Sequence, residues 1–142
     1  MNKKNILLIF GFGYTAKFMC QKFSKKNWEV FCTTRFKEKA KEIKSLNATP
    51  VFFDDEEKIK SILSKNSYIL STAPPENGKD PVIENYGYLF KKNSEKIKWA
   101  GYLSTTSVYG DKKGGWVTED TVLEPNLERS ISRVAAEKSW LI

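Results

Sequence analysis

Residues 6–16 (ILLIFGFGYTA) constrain the fold of this chain more than any other stretch. Five uniformly apolar residues predict a strand covered on both faces, and a glycine turn and the first turn of a helix follow. Gly11, Gly13 and Ala16 form the pattern G-x-G-x-x-A, which is typical of a dinucleotide-binding turn. Gly11 allows the sharp turn, Gly13 lets a pyrophosphate approach the backbone, and Ala16 lets the helix pack closely on the strand.

The helix that follows supplies the other half of the predicted phosphate site. Its first N–H groups, including those of Tyr14 and Thr15, have no partner within the helix and carry partial positive charge. The helix places four side chains at helical spacing on one face: Ala16, Met19, Cys20 and Phe23. This context favours a dinucleotide site over a turn that binds nothing.

The length indicates one domain over residues 1–142, and 40% hydrophobic residues are enough to form a buried core. The net charge is +7, but the lysines are scattered along the chain, so we expect a solvated surface that helps to steer a polyanionic cofactor and does not bind nucleic acid. Histidine is absent and no C-x-x-C occurs, which argues against a metal site and against histidine-dependent nucleophilic catalysis. The two isolated cysteines, Cys20 and Cys32, fit the reducing cytoplasm, and no apolar run approaches the length of a membrane span.

Strands and helices are predicted to alternate along the whole chain. The strands are residues 6–10, 28–33, 50–53, 68–71 and 99–103. The first helix is expected to end near residues 25–27, and the second to cover residues 37–45. The third is expected to begin at residue 56, the fourth at residue 81, and the fifth to occupy residues 127–142. Right-handed crossovers give a Rossmann-type, doubly wound parallel sheet in the order 3-2-1-4-5 with helices on both faces. Its ligand crevice lies outside the carboxyl ends of strands 1 and 4.

The end of the second strand favours NADP over NAD. An NAD site usually has an acidic residue here to bind the ribose 2′-hydroxyl, whereas this chain has Thr33, Thr34 and Arg35. A guanidinium binds a 2′-phosphate through paired, charge-assisted hydrogen bonds, and the two hydroxyls can add donors. The alternative is that Arg35 merely caps a solvated helix start.

Two further strand ends supply candidate cofactor contacts. Asp54 follows the third strand, where it could hydrogen-bond the adenine amino group, while Asp55 is expected to cap the next helix. Ser71, Thr72 and Ala73 end the fourth strand and would line the cofactor's path. The following segment, PPENGKDP, is predicted to be a surface turn in which Asp80 caps a helix with Pro81 in its first position.

The fifth strand leads into four consecutive hydroxyl residues, 104–107. Beside the crevice they are a candidate catalytic or substrate-binding edge, although such residues are also ordinary turn formers. After a long loop, 111–126, the last helix has five residues at helical spacing: Ile131, Val134, Ala135, Lys138 and Leu141.

Several stretches together resemble a known superfamily: GFGYTA, STAPPENGKDP, YLSTTSVYGD, GGWVTEDT and ERSISRVAAEKSWL. The chain is similar to extended and atypical short-chain dehydrogenase/reductases, in particular to NAD(P)-dependent epimerase/dehydratase-like proteins that act on nucleoside-diphosphate sugars. The resemblance implies a catalytic hydroxyl at Thr105, which would hydrogen-bond the substrate. It also implies a Tyr-x-x-x-Lys pair, but Arg129 and Arg133 stand in those positions. Arginine stays protonated and is a poor general base.

The resemblance also bears on length, since extended members are about twice as long. We therefore expect a fragment that lacks the later strands and most of the substrate pocket, with exposed apolar surface that promotes self-association. Two functions remain open. One is an NADP-dependent oxidoreductase or epimerase acting on a small polar or nucleotide-sugar substrate, and the other is a non-catalytic dinucleotide-binding sensor or scaffold, or an inactive fragment.

Overall fold

The fold alternates strands and helices around one parallel sheet. The computed structural model describes residues 4–141. The strands are β1 (Asn5–Phe10), β2 (Trp28–Thr34), β3 (Thr49–Phe52), β4 (Ser67–Ser71) and β5 (Ile97–Tyr102). The helices are α1 (Tyr14–Phe23), α2 (Lys37–Ser45), α3 (Glu56–Leu63), α4 (Pro81–Lys92) and α5 (Glu128–Trp140), with a 3₁₀ helix at Thr106–Tyr109.

The strand order is β3-β2-β1-β4-β5, and every neighbouring pair is parallel. The predicted Rossmann-type fold and its order are confirmed. Because β1 pairs with β2 on one side and with β4 on the other, the direction in which the chain winds reverses at β1. The crevice at this reversal lies outside the carboxyl ends of the strands, where ligands of such sheets bind.

The core forms two layers because successive side chains of β1 point to opposite faces of the sheet. Leu8 and Phe10 join the layer under α3 and α4, while Leu7 and Ile9 join the layer under α1 and α2. In the first layer the Phe10 ring stacks on Tyr86 at a centroid distance of 5.8 Å. Burial on both faces explains why β1 is uniformly apolar.

Most predicted helix limits are confirmed, including the limits of α2 and the starts of α3 and α4. Asp55 accepts a hydrogen bond from the Lys58 N–H (3.0 Å), and Asp80 caps α4, whose first residue is Pro81. The exception is α1, which ends at Phe23, earlier than expected. Ser24 follows as the cap, and its hydroxyl donates to the Leu46 carbonyl (2.8 Å), which holds the chain beside the end of α2.

The face of α5 that packs on the protein differs from the predicted row of residues. Ile131 and Leu141 are 54% and 85% exposed, whereas Ser130 and Ala136 are buried. Trp140 packs beside them, with its ring 5.9 Å from that of Tyr102. Small residues and one aromatic ring thus make the contact, because α5 lies close against the 3₁₀ helix and the end of β5.

No helix within residues 4–141 is both long enough and apolar enough to cross a membrane.

Candidate functional site

The glycine turn after β1 is held from both sides. On the β2 side, the Gly11 N–H donates to the Thr33 hydroxyl (3.0 Å). On the β4 side, the Thr72 N–H and hydroxyl both donate to the Phe10 carbonyl, at 2.8 and 3.1 Å. Gly11 has φ +91°, and a Cβ there would lie 2.9 Å from the Thr72 hydroxyl oxygen and 3.1 Å from the Ala73 nitrogen. Only glycine fits this position.

The second glycine leaves open space at the N-terminus of α1. A Cβ on Gly13 would meet no atom within 4 Å, so the backbone is accessible to a ligand. Gly13 is the N-cap and offers no side chain to the first N–H groups of the helix, and the first turn contains no acidic residue. Ala16 is fully buried and allows close packing, while Tyr14 is 91% exposed. Unpaired N–H groups, the helix dipole and an approachable backbone suit a pyrophosphate.

A groove of about 260 Å³ extends from this turn across the end of β2. It brings together seven of the predicted cofactor residues: Gly11, Gly13, Thr33, Thr34, Arg35, Thr72 and Ala73. Tyr14 and Thr15 lie beside it at the exposed start of α1.

Two predicted contacts lie elsewhere. Ser71 is fully buried and so does not reach the groove, and its hydroxyl has no hydrogen-bond partner among residues 4–141. Asp54 is exposed in the turn after β3 and does not line the groove. Two backbone hydrogen bonds form that turn, Asp55 N–H to the Phe52 carbonyl and Glu56 N–H to the Asp54 carbonyl, each 3.0 Å. Phe53 lines the groove in place of Asp54.

The two threonine hydroxyls serve the protein backbone. Thr33 is 1% exposed and accepts from Gly11, and Thr34 is 6% exposed and accepts from the Phe36 N–H (3.1 Å). Both hydroxyls shape the turn and the groove wall, and their role as donors to a 2′-phosphate stays a prediction.

Arg35 lies over the Phe53 ring, with 4.8 Å between its guanidinium carbon and the ring centroid. It also pairs with Glu76, at 2.6 Å between Nη1 and Oε1, and both side chains are 48% exposed. Lys39 lines the same groove. Sequence reasoning missed Glu76 and Lys39, because Glu76 comes from a loop 41 positions away along the chain and Lys39 is one of many lysines.

Cys32 also supports the turn. Its thiol lies 3.4 Å from the Gly11 carbonyl oxygen, to which it donates. The pKa of the Cys32 thiol is raised, mainly by its hydrogen bond with Cys20 and secondly by burial, so the thiol keeps the proton that it donates. Both cysteines are buried free thiols, and among residues 4–141 no cluster of histidine, cysteine and carboxylate side chains could hold a metal ion.

A second cleft, of about 680 Å³, lies between the loop after β4 and the first half of α5. It brings together the three predicted catalytic positions, Thr105, Arg129 and Arg133. Sequence reasoning missed Ser132, which also lines the cleft, and the buried Ser130 behind it.

Hydroxyl groups are linked along one wall of this cleft. Ser130 donates to the Ser107 hydroxyl (2.9 Å), which lies 3.2 Å from the Thr105 hydroxyl oxygen. Thr105 also accepts from the Ser107 N–H (3.3 Å) and so caps the 3₁₀ helix. The expected hydroxyl edge is thus tied to α5 by Ser130.

Arg133 is anchored to the end of β5. It donates to the Leu103 carbonyl (2.8 Å) and to the Tyr102 hydroxyl (3.2 Å). Burial raises the pKa of Tyr102, although Arg133 acts in the opposite direction. Tyr102 therefore stays protonated at neutral pH, and because arginine is also protonated, these groups are hydrogen-bond donors and not bases.

No family model matches this sequence, and no curated protein matches it. Among solved structures, a conserved protein of unknown function from Silicibacter pomeroyi is similar to this chain, with 34% identity over 96% of this chain and 48% of its own length and a TM-score of 0.87. A candidate epimerase from Burkholderia cenocepacia J2315 is 14% identical over 99% of this chain and 50% of its own length, with a TM-score of 0.70.

A reductase engineered for asymmetric catalysis is 17% identical over 97% of this chain and 53% of its own length, with a TM-score of 0.71. The chain thus spans about half the length of these three structures. The fold is the Rossmann-like α/β fold found in an epimerase-type protein and a reductase. The resemblance noted in the sequence is therefore confirmed for the fold.

Proposed function

We propose that this chain binds NADP(H) and belongs to an oxidoreductase or epimerase-like protein that acts on a small polar substrate. The observation that carries the proposal is the turn at Gly11 and Gly13. It is fastened to β2 and β4, and it presents open backbone at the N-terminus of α1. A pyrophosphate would bind there, and a bound nicotinamide dinucleotide would supply hydride transfer.

The preference for NADP rests on the cations of the groove. Arg35 and Lys39 both line it, and the guanidinium carbon of Arg35 lies over the Phe53 ring, 4.8 Å from its centroid. A 2′-phosphate would accept charge-assisted hydrogen bonds from this guanidinium. The third charged residue of the lining, Glu76, forms an ion pair with Arg35. An ion pair this exposed contributes about 0–1 kcal/mol, so a doubly charged phosphate can replace the carboxylate.

A fluorescence titration with NADPH and NADH tests the proposal. We expect tighter binding of NADPH, and we expect Arg35→Ala to weaken it by about 1.5–3 kcal/mol, the range for a hydrogen bond to a charged group. Glu76→Gln should strengthen NADPH binding several-fold and leave NADH almost unchanged, because it removes the carboxylate that competes for Arg35. Lys25→Ala is the control, since it removes an exposed positive charge outside the groove.

Equal affinity for both cofactors in the unaltered chain would remove Arg35 from the site. An absence of binding by either cofactor would overturn the proposed role of the glycine turn.

A non-catalytic dinucleotide-binding role is the second candidate, and the arginines at positions 129 and 133 favour it. Neither can act as the general base that a Tyr-x-x-x-Lys pair supplies, and burial, which raises the pKa of Tyr102, favours the protonated form of that neighbouring hydroxyl. Oxidation of NADPH in the presence of small aldehydes, ketones or sugar nucleotides would show that the protein is an enzyme and would exclude the non-catalytic role.

We further propose a cytoplasmic location and small-molecule partners without nucleic acid or membrane. The support is two buried free thiols and basic residues that are dispersed over the chain.

A further inference from the structure

The cleft beside α5 has a charge pattern that the proposed cofactor site does not explain. Its lining contains two arginines, Arg129 and Arg133, and one carboxylate, Glu128, as its charged residues. The arginines are four positions apart on α5, so they lie on the same side of the helix. Two like charges at this spacing repel each other, and an anion bound between them would relieve the repulsion.

The two arginines differ in how much of their donor capacity is used. Arg133 directs one nitrogen, Nη1, to the Leu103 carbonyl and the Tyr102 hydroxyl, which positions the guanidinium. Its other nitrogens have no hydrogen-bond partner among residues 4–141. Arg129 forms no ion pair or side-chain hydrogen bond with any residue between 4 and 141. The cleft therefore combines one anchored guanidinium with one that is free to close on a ligand.

Hydroxyl groups add neutral donors beside the arginines. Ser130 is fully buried and donates to Ser107, which can in turn donate to Thr105. In this arrangement the Thr105 hydroxyl proton is left for a ligand in the cleft. Ser132 adds a further hydroxyl to the lining. Guanidinium groups and hydroxyls that converge on one space match the acceptor oxygens of a carboxylate or a phosphate.

We propose that this cleft binds an anionic group, a carboxylate or phosphate, on the substrate, with Arg129 and Arg133 as its ligands. The inference rests on the proposed function in taking that group to belong to the substrate of the dinucleotide-binding protein. The arginines then hold the substrate in place of the missing Tyr-x-x-x-Lys pair, and Thr105 hydrogen-bonds the same group.

The chain has only three arginines, Arg35, Arg129 and Arg133, so their side-chain Nε–H signals in a ¹H–¹⁵N NMR spectrum report on both sites at once. We would titrate the full chain with malonate and, separately, with inorganic phosphate. The expected result is a saturable shift of the Arg129 and Arg133 signals, with the Arg35 signal responding to phosphate only. A preference for malonate would indicate a carboxylate substrate, and a preference for phosphate a phosphorylated one.

Arg129→Gln should weaken this binding by at least about tenfold, as expected when paired charge-assisted hydrogen bonds are lost. Arg129→Lys should recover only part of it, because lysine keeps the charge but not the planar fork. Lys138→Gln, which removes an exposed charge from the same helix, should change the affinity less than about twofold. Backbone signals of each variant show whether it is folded.

Shifts that rise linearly without saturation would overturn the anion site. A loss of anion affinity in Lys138→Gln as large as that in Arg129→Gln would overturn it too. A parallel NADPH titration separates this inference from the proposed function. Malonate binding without NADPH binding would support the anion site and contradict the dinucleotide role. NADPH binding without any anion response of Arg129 and Arg133 would support the dinucleotide role and contradict the anion site.

Discussion

At the scale of single residues, the two glycines of the first turn have different reasons to be glycine. Gly11 is required by the fold, because its φ of +91° and its closeness to Thr72 exclude a side chain. Gly13 has open space around its missing Cβ, so we expect the fold to tolerate a methyl group there and the proposed ligand to be what excludes it. One substitution therefore reports on stability and the other on binding.

We expect Gly11→Ala to lower the free energy of unfolding by about 1–3 kcal/mol, the cost of a strained backbone conformation, with further loss from the contact with Thr72. Gly13→Ala should change it by less than about 0.5 kcal/mol but should weaken NADPH binding at least tenfold. Urea unfolding and the fluorescence titration measure the two effects. A strongly destabilised Gly13→Ala, or one that binds NADPH normally, would contradict this division.

At the scale of elements, Tyr86 joins α4 to the end of β3. Its hydroxyl donates to the Phe53 carbonyl, and its ring packs against Phe10 and Phe53. The pKa of Tyr86 is raised to about 12, mainly by burial and to a smaller extent by the nearby carboxylates of Glu56 and Asp54. This residue therefore links the packing of one helix to the wall of the candidate cofactor groove.

The raised pKa predicts how stability depends on alkaline pH. A tyrosine of the unfolded chain titrates near pH 10, so the contribution of Tyr86 is fully present below pH 10 and is lost as the pH rises through about 12. Tyr86→Phe should cost about 1 kcal/mol at neutral pH, since the Phe53 carbonyl loses its donor, and should make the fall in stability between pH 10 and 12 less steep. Urea unfolding at several pH values measures both effects.

Tyr14→Phe is the control, because Tyr14 is 91% exposed. If the free energy of unfolding falls equally steeply between pH 10 and 12 in the unaltered chain and in Tyr86→Phe, the prediction is refuted.

At the scale of the whole molecule, the sheet is covered unevenly. β3 and β5 lie at its two edges, and on β5 the Trp99 ring is 51% exposed and lies across Gly101. Trp99 also lines an apolar groove of about 700 Å³ between β5, α4 and α5. An open strand edge beside an apolar surface of this kind promotes pairing between chains.

We therefore expect this chain to self-associate as its concentration rises, and Trp99→Lys to shift it toward the monomer. Sedimentation velocity over a range of concentrations measures the change. Trp116→Lys is the matched control, because Trp116 is also exposed but lies in the loop before α5. A chain that stays monomeric throughout, or a Trp116→Lys variant that dissociates as far as Trp99→Lys, would count against the role of β5.

The features that could be predicted from the sequence are local in character. The apolar run of β1, the spacing of Gly11, Gly13 and Ala16, and the caps Asp55 and Asp80 each depend on neighbouring residues, and alternation with right-handed crossovers then leads to the order 3-2-1-4-5. These features are confirmed.

The features that required the three-dimensional structure depend on contacts between residues far apart in the chain. Glu76 reaches Arg35 across 41 positions, Arg133 reaches Tyr102 across 31, and Ser130 reaches Ser107 across 23. The buried face of α5 was likewise decided by what it packs against and not by its own apolar residues. Such pairings are set by the way loops and helices meet over the sheet, for which hydrophobic periodicity carries no signal.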